Sequence, residues 1–513
     1  MADWGEGYVT DINYTTGFYQ ELSPVWLAAA ATLLGFRAPP IDKPYTYAEL
    51  ACGQGFGIGL LAAANPLGRF FGFDFNPAQI AHGRRLAEDS GLETIEYHDL
   101  SFQELASSAD SAWPEFDFIV LHGIYSWVNR DNQAAIIEFV RRFLKPGGLA
   151  YISYNCSPGW ASMVPLQRLM RLHADSHPAR SDVQGREALA FVQRLREGGA
   201  AFFNNHSDIA PRLDTAGKLD SHYVAHEYLN RNWTIMGFAD MAEDCARAKL
   251  NYLGSASLVE NLENLSVPTS LLPLLKSETD PTMRQTMLDY ASNKGFRRDI
   301  YQKGLAPLTL QEHLEAVKRI RLAPLKKDLA GEIKFKTPMG EATGRQDLYE
   351  PLIKSLGEGA LTLGEIAARP EMAGKSLGDW VEVALLLIQG GFAHPEAAPA
   401  STTSARDFNR VVSRSVLNGH HYAFLATPGL GSGIPVGFVD MLAVLVLLDE
   451  PEIGEGAFID AVFGLLQEKG RSLVKDGVVL DTQEAVAPEL KSVYASLQGT
   501  LGGIWRGIGV LPS

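Results

Sequence analysis

The stretch Y-A-E-L-A-C-G-Q-G-F-G-I-G-L-L-A-A-A-N-P-L-G-R-F-F-G-F-D-F-N-P, from Tyr47 to Pro77, decides the fold. Its entry, Tyr45 to Leu50, is an aromatic and apolar run of the kind that forms a buried parallel strand. Gly53, Gly55 and Gly57 follow at alternate positions, where a strand turns sharply and a ligand can approach the backbone. A helix is predicted from Ile58 to Ala64, stopped by Asn65-Pro66, with its first N–H groups facing whatever lies on the glycines. A second strand, Arg69 to Phe73, ends on Asp74. That acid lies about 20 residues past the glycines, the distance at which such folds place a ribose-binding carboxylate.

Two nucleoside ligands fit this pattern. A dinucleotide fingerprint starting at Gly53 needs Gly or Ala at position 58, which is Ile58. The alternative match, Gly57, Gly59 and Ala62, falls inside the helix. By contrast, Glu49-Leu50-Ala51-Cys52-Gly53-Gln54-Gly55-Phe56-Gly57 resembles the first motif of class I S-adenosylmethionine (AdoMet) methyltransferases. That resemblance implies a glycine loop under the amino-acid part of AdoMet and an acid, Asp74, on both ribose hydroxyls.

Length and composition bound the rest. With 513 residues the chain holds two to four domains, and 46% apolar with 20% charged residues describes a globular protein. A formal net charge of −15 argues against a nucleic-acid surface as the main partner site. Cys52, Cys156 and Cys245 lack metal-ligand spacing, so no metal is expected, and a sparse, odd count suits a reducing compartment. The N-terminus has no secretion-signal pattern. The longest apolar run, Val436 to Leu448, is broken by Asp440 and is too short to span a bilayer. A cytoplasmic protein without membrane insertion is the expectation.

Along the chain, a helix is predicted at Pro24 to Leu34, and another begins at Asn76-Pro77, with Asn76 as its N-cap, and runs to Glu88. Strands follow at Thr94 to His98, ending on Asp99, at Phe116 to Leu121, ending on His122-Gly123, and at Leu149 to Tyr154. A helix from Asp131 to Leu144 precedes the turn Lys145-Pro146-Gly147-Gly148. Five strands separated by helices predict a doubly wound α/β sheet that binds ligands at the carboxyl ends of its strands. From Gly159 to His222 the pattern is helical and amphipathic, more than such a core needs, so it is an insertion. The core resumes with helix Phe238 to Ala248 and strand Leu250 to Ser255, and Arg297 to Tyr301 is a candidate last strand. The division expected is residues 1–158 and 224–304 as core and 159–223 as a lid or dimerisation element. Residues 305–395 form a mostly helical middle domain of winged-helix pattern, followed, after a linker rich in Ala, Pro, Ser and Thr, by a C-terminal domain, 404–513. The acidic balance of the middle domain makes it a packing module. The G-L-G-S-G-I-P-V stretch, Gly429 to Val436, lacks a phosphate loop's strand and lysine and is a turn.

Three further stretches narrow the resemblance: H-G-I-Y-S-W-V (His122 to Val128), N-C-S-P-G-W (Asn155 to Trp160) and Y-V-A-H-E-Y-L-N-R-N-W (Tyr223 to Trp233). Together they resemble bacterial methyltransferases with a methyltransferase regulatory domain, and among these the rickettsial protein lysine methyltransferases that modify an outer-membrane protein. The resemblance implies AdoMet as cofactor, a protein lysine as acceptor and a homodimer built on the insertion. The cofactor residues it implies are Glu49, Ala51, Gly53, Gly55, Asp74, Phe75, Asp99, Leu100, His122 and Tyr19. Asp99 is expected at the adenine amino group and Leu100 against the ring. Tyr125, Trp127 and His122 are the expected acceptor-side catalytic residues, with Tyr154 nearby and Tyr14 and Tyr19 covering the site. His226-Glu227 is no zinc-protease motif, since no second His follows at the required spacing. Methyl transfer to a glycan or small molecule, and a non-catalytic AdoMet-binding scaffold, remain the alternatives. A dehydrogenase lacks its Tyr-x-x-x-Lys pair in the nucleotide-binding half, because Tyr290 and Lys294 lie outside it.

Overall fold

A computed structural model describes residues 5–12, 16–326, 332–397 and 401–512. A seven-stranded sheet forms its centre, with β1 (Tyr45–Leu50), β2 (Gly68–Asp74), β3 (Ile95–Asp99), β4 (Phe116–Leu121), β5 (Leu144–Asn155), β6 (Leu250–Ser255) and β7 (Phe296–Lys303). The order is β3-β2-β1-β4-β5-β7-β6, and β7 alone runs antiparallel, wedged between β5 and β6. Tyr45–Leu50, Phe116–Leu121 and Leu250–Ser255 coincide with the strands expected from the sequence.

The strands read as continuous apolar runs because both sheet faces are buried. Phe118 and Val120 of β4 join one core cluster, while their neighbours Ile119 and Leu121 join the other. Leu149 and Tyr151 alternate with Ala150 and Ile152 in the same way along β5. One face is covered by α1 (Pro24–Leu33), α2 (Phe56–Ala64) and α3 (Pro77–Asp89); the other by α4 (Phe102–Ser107) and α5 (Arg130–Phe143). Asn76 caps α3 as expected, its Oδ1 accepting from Ala78 N–H at 3.0 Å. The Lys145–Gly148 turn is carried inside β5 as a bulge, since Leu144 pairs with Phe116 and Leu149 with Phe118.

The insertion comprises α6 (Val164–Ser176), α7 (Ser181–Glu197), α8 (Ala201–Asn204) and α9 (Ile209–Ala216), followed by α10 (Ser221–Tyr228). Its small core takes Met170 from α6, Val192 from α7 and Leu213 from α9, and also Val224 and Tyr228 from α10. The expected boundary at residue 223 therefore falls within a helix that packs on the insertion. The chain then returns to the sheet through α11 (Phe238–Arg247), which joins α5 over the second face.

The middle segment has a three-stranded antiparallel sheet (Leu361–Thr362, Arg321–Pro324, Ala393–Pro395) with helices Gln346–Glu358 and Leu377–Gln389. The linker expected from Glu396 to Thr403 lies partly outside the described residues. Gly429–Val436 holds the expected turn, but it is the turn of an antiparallel hairpin, Phe424–Thr427 with Ser432–Pro435, so a strand does precede it. That hairpin sits against α2, so close that a Cβ on Gly433 would come within 2.8 Å of Leu60. The C-terminal segment thus buttresses the helix that follows the glycine loop. Among the described residues no helix is long and apolar enough to cross a membrane.

Candidate active site

The strand order reverses at β1, which pairs with β2 on one side and β4 on the other, and ligands of open α/β sheets bind beyond the carboxyl ends at such a point. A cavity of about 490 Å³ opens there, within the range of small-molecule sites. The loop after β1 forms its floor. Ala51 (φ +56°), Gly53 (φ +55°) and Gly55 (φ +74°) all take left-handed backbone, an unfavourable state for Ala51 that is characteristic of functional loops. Gly55 is required twice over. Its φ of +74° disfavours any side chain, and a Cβ there would sit 2.5 Å from the Tyr97 ring, which is held in place as its Oη donates to Gly55 O at 2.7 Å.

Asp74 is locked in place before any ligand arrives. Its Oδ2 accepts from Gly53 N–H at 3.0 Å and its Oδ1 from Asn76 N–H at 2.9 Å, so the carboxylate bridges the glycine loop and the start of α3. Burial pushes its pKa up to about 6 in spite of these two donors. Glu49, at the end of β1, is 8% exposed, and its Oε2 has no hydrogen-bond partner among the described residues. Burial, and then the charge of Asp74, push its carboxyl up to about 8. A buried, unsatisfied acceptor beside a cavity is costly unless a ligand donor meets it. The residues present therefore fit a cationic nucleoside: Asp74 for ribose hydroxyls, Glu49 for a donor on the amino-acid part, and the loop for close approach.

Ala51, Gly53, Gly55, Phe75 and Leu100 line the same cavity, as do His122, Tyr19 and Trp127. His122 stacks on Tyr19 with ring centroids 3.7 Å apart, and its Nδ1 lies 2.8 Å from Tyr151 Oη. Burial and the nearby Arg298 charge lower its pKa to about 3, so it is a neutral imidazole at neutral pH. Trp127 stacks on Trp233 at 5.6 Å, and Trp160 meets Trp233 edge-on at 5.5 Å. Arg212 of the insertion lies over Trp160 at 4.8 Å, tying that wall to α9.

Three expected residues are placed elsewhere, and each correction has a local cause. Residues Tyr125–Trp127 form a 3₁₀ turn, with Trp127 N–H donating to Ile124 O at 2.8 Å. At three residues per turn, Ile124 and Trp127 share the cavity side while Tyr125 points away. Tyr125 is fully buried against α11 and donates to Asp244 Oδ2 at 3.0 Å. Asp99 ends the edge strand β3, and its side chain is 52% exposed and 3.5 Å from the Arg84 guanidinium. Its neighbours Leu100, Ser101 and Phe102 line the cavity in its stead. Tyr154 is buried and donates to Asp299 Oδ2 at 2.7 Å. Tyr14 lies outside the described residues.

The structure adds groups to the site that the motif reading does not include. Tyr223, His226, Glu227 and Asn230 line the cavity from α10 and its C-terminal end. Their spacing, i, i+3, i+4 and i+7, is one helix face, and Val224, Ala225, Tyr228 and Leu229 on the other positions are buried in cores. A polar face at this spacing between apolar positions is the sequence signal that identifies them. The N-terminal segment closes over this helix end: Val9 N–H donates to Asn230 Oδ1 and Arg231 N–H to Gly7 O, each at 3.0 Å. Tyr8 is thereby held 5.5 Å from the His226 ring and 6.1 Å from that of Phe75. Arg298, from β7, completes the wall.

Two family models match the chain: a methyltransferase domain over residues 48–148 and a predicted methyltransferase regulatory domain over residues 220–303. An uncharacterised protein of Synechocystis is 36% identical over 502 residues, 97% of each chain. An uncharacterised protein of Rickettsia prowazekii is 28% identical over 305 residues, covering 57% of this chain and 53% of its own length. Among solved structures, PKMT2 from Rickettsia typhi superposes with a TM-score of 0.71 at 20% identity, over 97% of this chain and 99% of that one. Its complex with AdoHcy gives 0.70 at 21% identity over the same shares. These two share the whole fold, extra domains included.

Proposed function

The chain belongs to the class I AdoMet-dependent methyltransferases that carry a methyltransferase regulatory domain, and from that premise we propose that it methylates the side-chain amine of lysine in a protein substrate. The carrying observation is the charge of the cavity. Among the described residues Glu6, Glu49, Asp74 and Glu227 line it against one guanidinium, Arg298, and a bound cation would draw Glu49 and Glu227, which burial raises to about 8 and about 7, into their ionised form. Such a lining attracts a cationic donor and a cationic acceptor together and repels anionic metabolites. The likeness of His122–Val128 and Tyr223–Trp233 to protein lysine methyltransferases supports the same acceptor, as does the overall fold shared with PKMT2.

When bound, AdoMet supplies a methyl carbon on a cationic sulfur, primed for in-line displacement. The protein's part is binding and alignment. Asp74 would hold the ribose, the Ala51–Gly55 loop and Glu49 the amino-acid part, and Leu100 with Phe102 the adenine. Trp127, Trp160 and Tyr223 would wall the acceptor channel and exclude water, which favours the neutral, nucleophilic form of an amine. His122, neutral and stacked on Tyr19, would shape the junction between the two halves.

The insertion would serve as a homodimer face, since Val164, Leu172 and Leu219 expose 42%, 48% and 43% of their surface there. Light scattering at the mass of two 55.9 kDa chains is the expected result. The acceptor is tested by incubating candidate surface proteins with the protein and AdoMet and reading lysine residues for an added methyl by mass spectrometry. Methyl groups found only on a sugar, lipid or small metabolite would refute the acceptor and leave the methyltransferase standing.

A further inference from the structure

We propose that Glu227 is the acceptor's seat: with the tyrosines around it, it forms a binding site for a primary alkylammonium group. The inference rests on the methyl-transfer reading above and adds the group that selects an amine. Glu227 projects from the cavity-facing side of α10, whose other sides are buried, so the carboxyl has nowhere else to face. Tyr8, Tyr19 and Tyr223 line the same cavity; burial raises their hydroxyls, and the charge of Glu227 adds to the rise at each. It therefore sits within a group of aromatic rings drawn from two parts of the chain.

Nothing in the described residues neutralises it. Burial acts alone on its carboxyl, with no opposing cation or hydrogen bond, and pushes it up to about 7. Arg298, the one guanidinium among the described residues lining the cavity, has other neighbours: its Nη1 donates to Ser257 Oγ at 3.2 Å, its Nε lies 3.9 Å from Glu21, and it covers the Phe296 ring at 5.2 Å. A half-buried carboxylate in a cavity, with no cation beside it among the described residues, is stabilised by an arriving cation. Tyrosine faces add cation–π attraction for a compact ammonium.

Seating also prepares the amine. The ammonium nitrogen pairs with the Glu227 carboxylate, one N–H bond breaks, and its electron pair stays on nitrogen as a lone pair. The proton passes to a Glu227 oxygen, leaving a neutral amine and a neutral carboxylic acid. A carboxyl held near 7 is a better proton acceptor than an ordinary glutamate, and it does not require bulk water to enter the site.

The test is calorimetric titration of n-butylammonium chloride into the full-length protein saturated with AdoHcy, with n-butanol and n-butylguanidinium as comparison probes. Wild type is expected to bind the ammonium at least tenfold tighter than either. Glu227→Gln should lose at least tenfold for the ammonium with AdoHcy affinity unchanged, and Glu227→Asp should recover part of it. Ammonium affinity of the wild type should also rise between pH 6 and 8 as Glu227 ionises. Sharing the cavity with it are Tyr8, Tyr19 and Tyr223, whose burial-raised hydroxyls stay protonated over that range, the Arg298 guanidinium, the His226 imidazole, and the carboxyls of Glu6, Asp74 and Glu49. A flat Glu227→Gln profile assigns the step to the carboxyl and not to His226. The proposal is overturned if Glu227→Gln binds the ammonium like wild type, if n-butanol or n-butylguanidinium binds as well, or if the variant loses AdoHcy affinity. None of these outcomes bears on lysine methylation itself, which mass spectrometry reads separately.

Discussion

Replacing Asp74 by alanine separates two energies that meet at one carboxylate. In the free protein the group is under strain, because burial lifts its pKa from 3.8 to about 6. Keeping it ionised at pH 8 thus costs about 3 kcal/mol. The sign follows from the raised value: the cost is absent below pH 4, grows as pH rises through about 6, and is fully present above it. Alanine removes that cost and gives up two backbone contacts, to Gly53 N–H at 3.0 Å and Asn76 N–H at 2.9 Å. The Gly53 N–H borders the cavity, where water can satisfy it, whereas Asn76 is buried, so the losses are about 1 kcal/mol and about 1–3 kcal/mol. The free variant should therefore melt near the wild-type temperature at pH 8. Ligand affinity should move the other way. Two ribose hydroxyls donating to a carboxylate are charge-assisted, and losing them costs about 2–3 kcal/mol, or about 30- to 150-fold in Kd. Calorimetry with AdoHcy and thermal unfolding of the free protein read the two effects independently. Full AdoHcy affinity in Asp74→Ala would show that the ribose is not held here. Weak binding together with a sharply lower melting temperature would show that the carboxylate serves the fold and not the ligand.

Other consequences can be measured on the same preparation. Wild-type AdoHcy affinity should rise with pH between about 5 and 8 as Asp74 and then Glu49 ionise, with protons released on binding below pH 8; an affinity that falls over this range would contradict the assignment. Gly55→Ala places a Cβ 2.5 Å from the Tyr97 ring at φ +74°, so left-handed strain and overpacking together should cost about 2–4 kcal/mol in urea unfolding, and an unchanged midpoint would mean the loop readily adjusts. Tyr125→Phe should lose about 1–3 kcal/mol of stability with its bond to Asp244, while turnover at saturating AdoMet stays at the wild-type value; a tenfold slower enzyme of normal stability would return Tyr125 to the chemistry.

The sequence by itself determined the features whose cause lies within one turn or one crossover. Between Tyr47 and Pro77, the strand, the left-handed glycine loop, the helix and Asp74 follow from local chemistry, because each residue's backbone state or pairing is dictated by near neighbours. The two-sided core follows as well, since only a sheet buried on both faces reads as unbroken apolar runs. The direction in which a side chain looks is another matter. His122–Val128 is the stretch expected at the acceptor end, but a 3₁₀ turn sends Trp127 into the cavity and Tyr125 to Asp244, and that rotation depends on packing against α11. Asp99 follows its strand as expected, yet an edge position and Arg84 draw it to the surface. The half of the cavity proposed for the acceptor was assembled by tertiary structure. It unites α10 and β7 with the N-terminal segment, which is more than 200 residues away from both in sequence, as in the bond from Val9 to Asn230. Such groups meet only when the sheet has closed and the insertion has packed, so no local pattern could place Tyr8, Glu227 and Arg298 around one cavity.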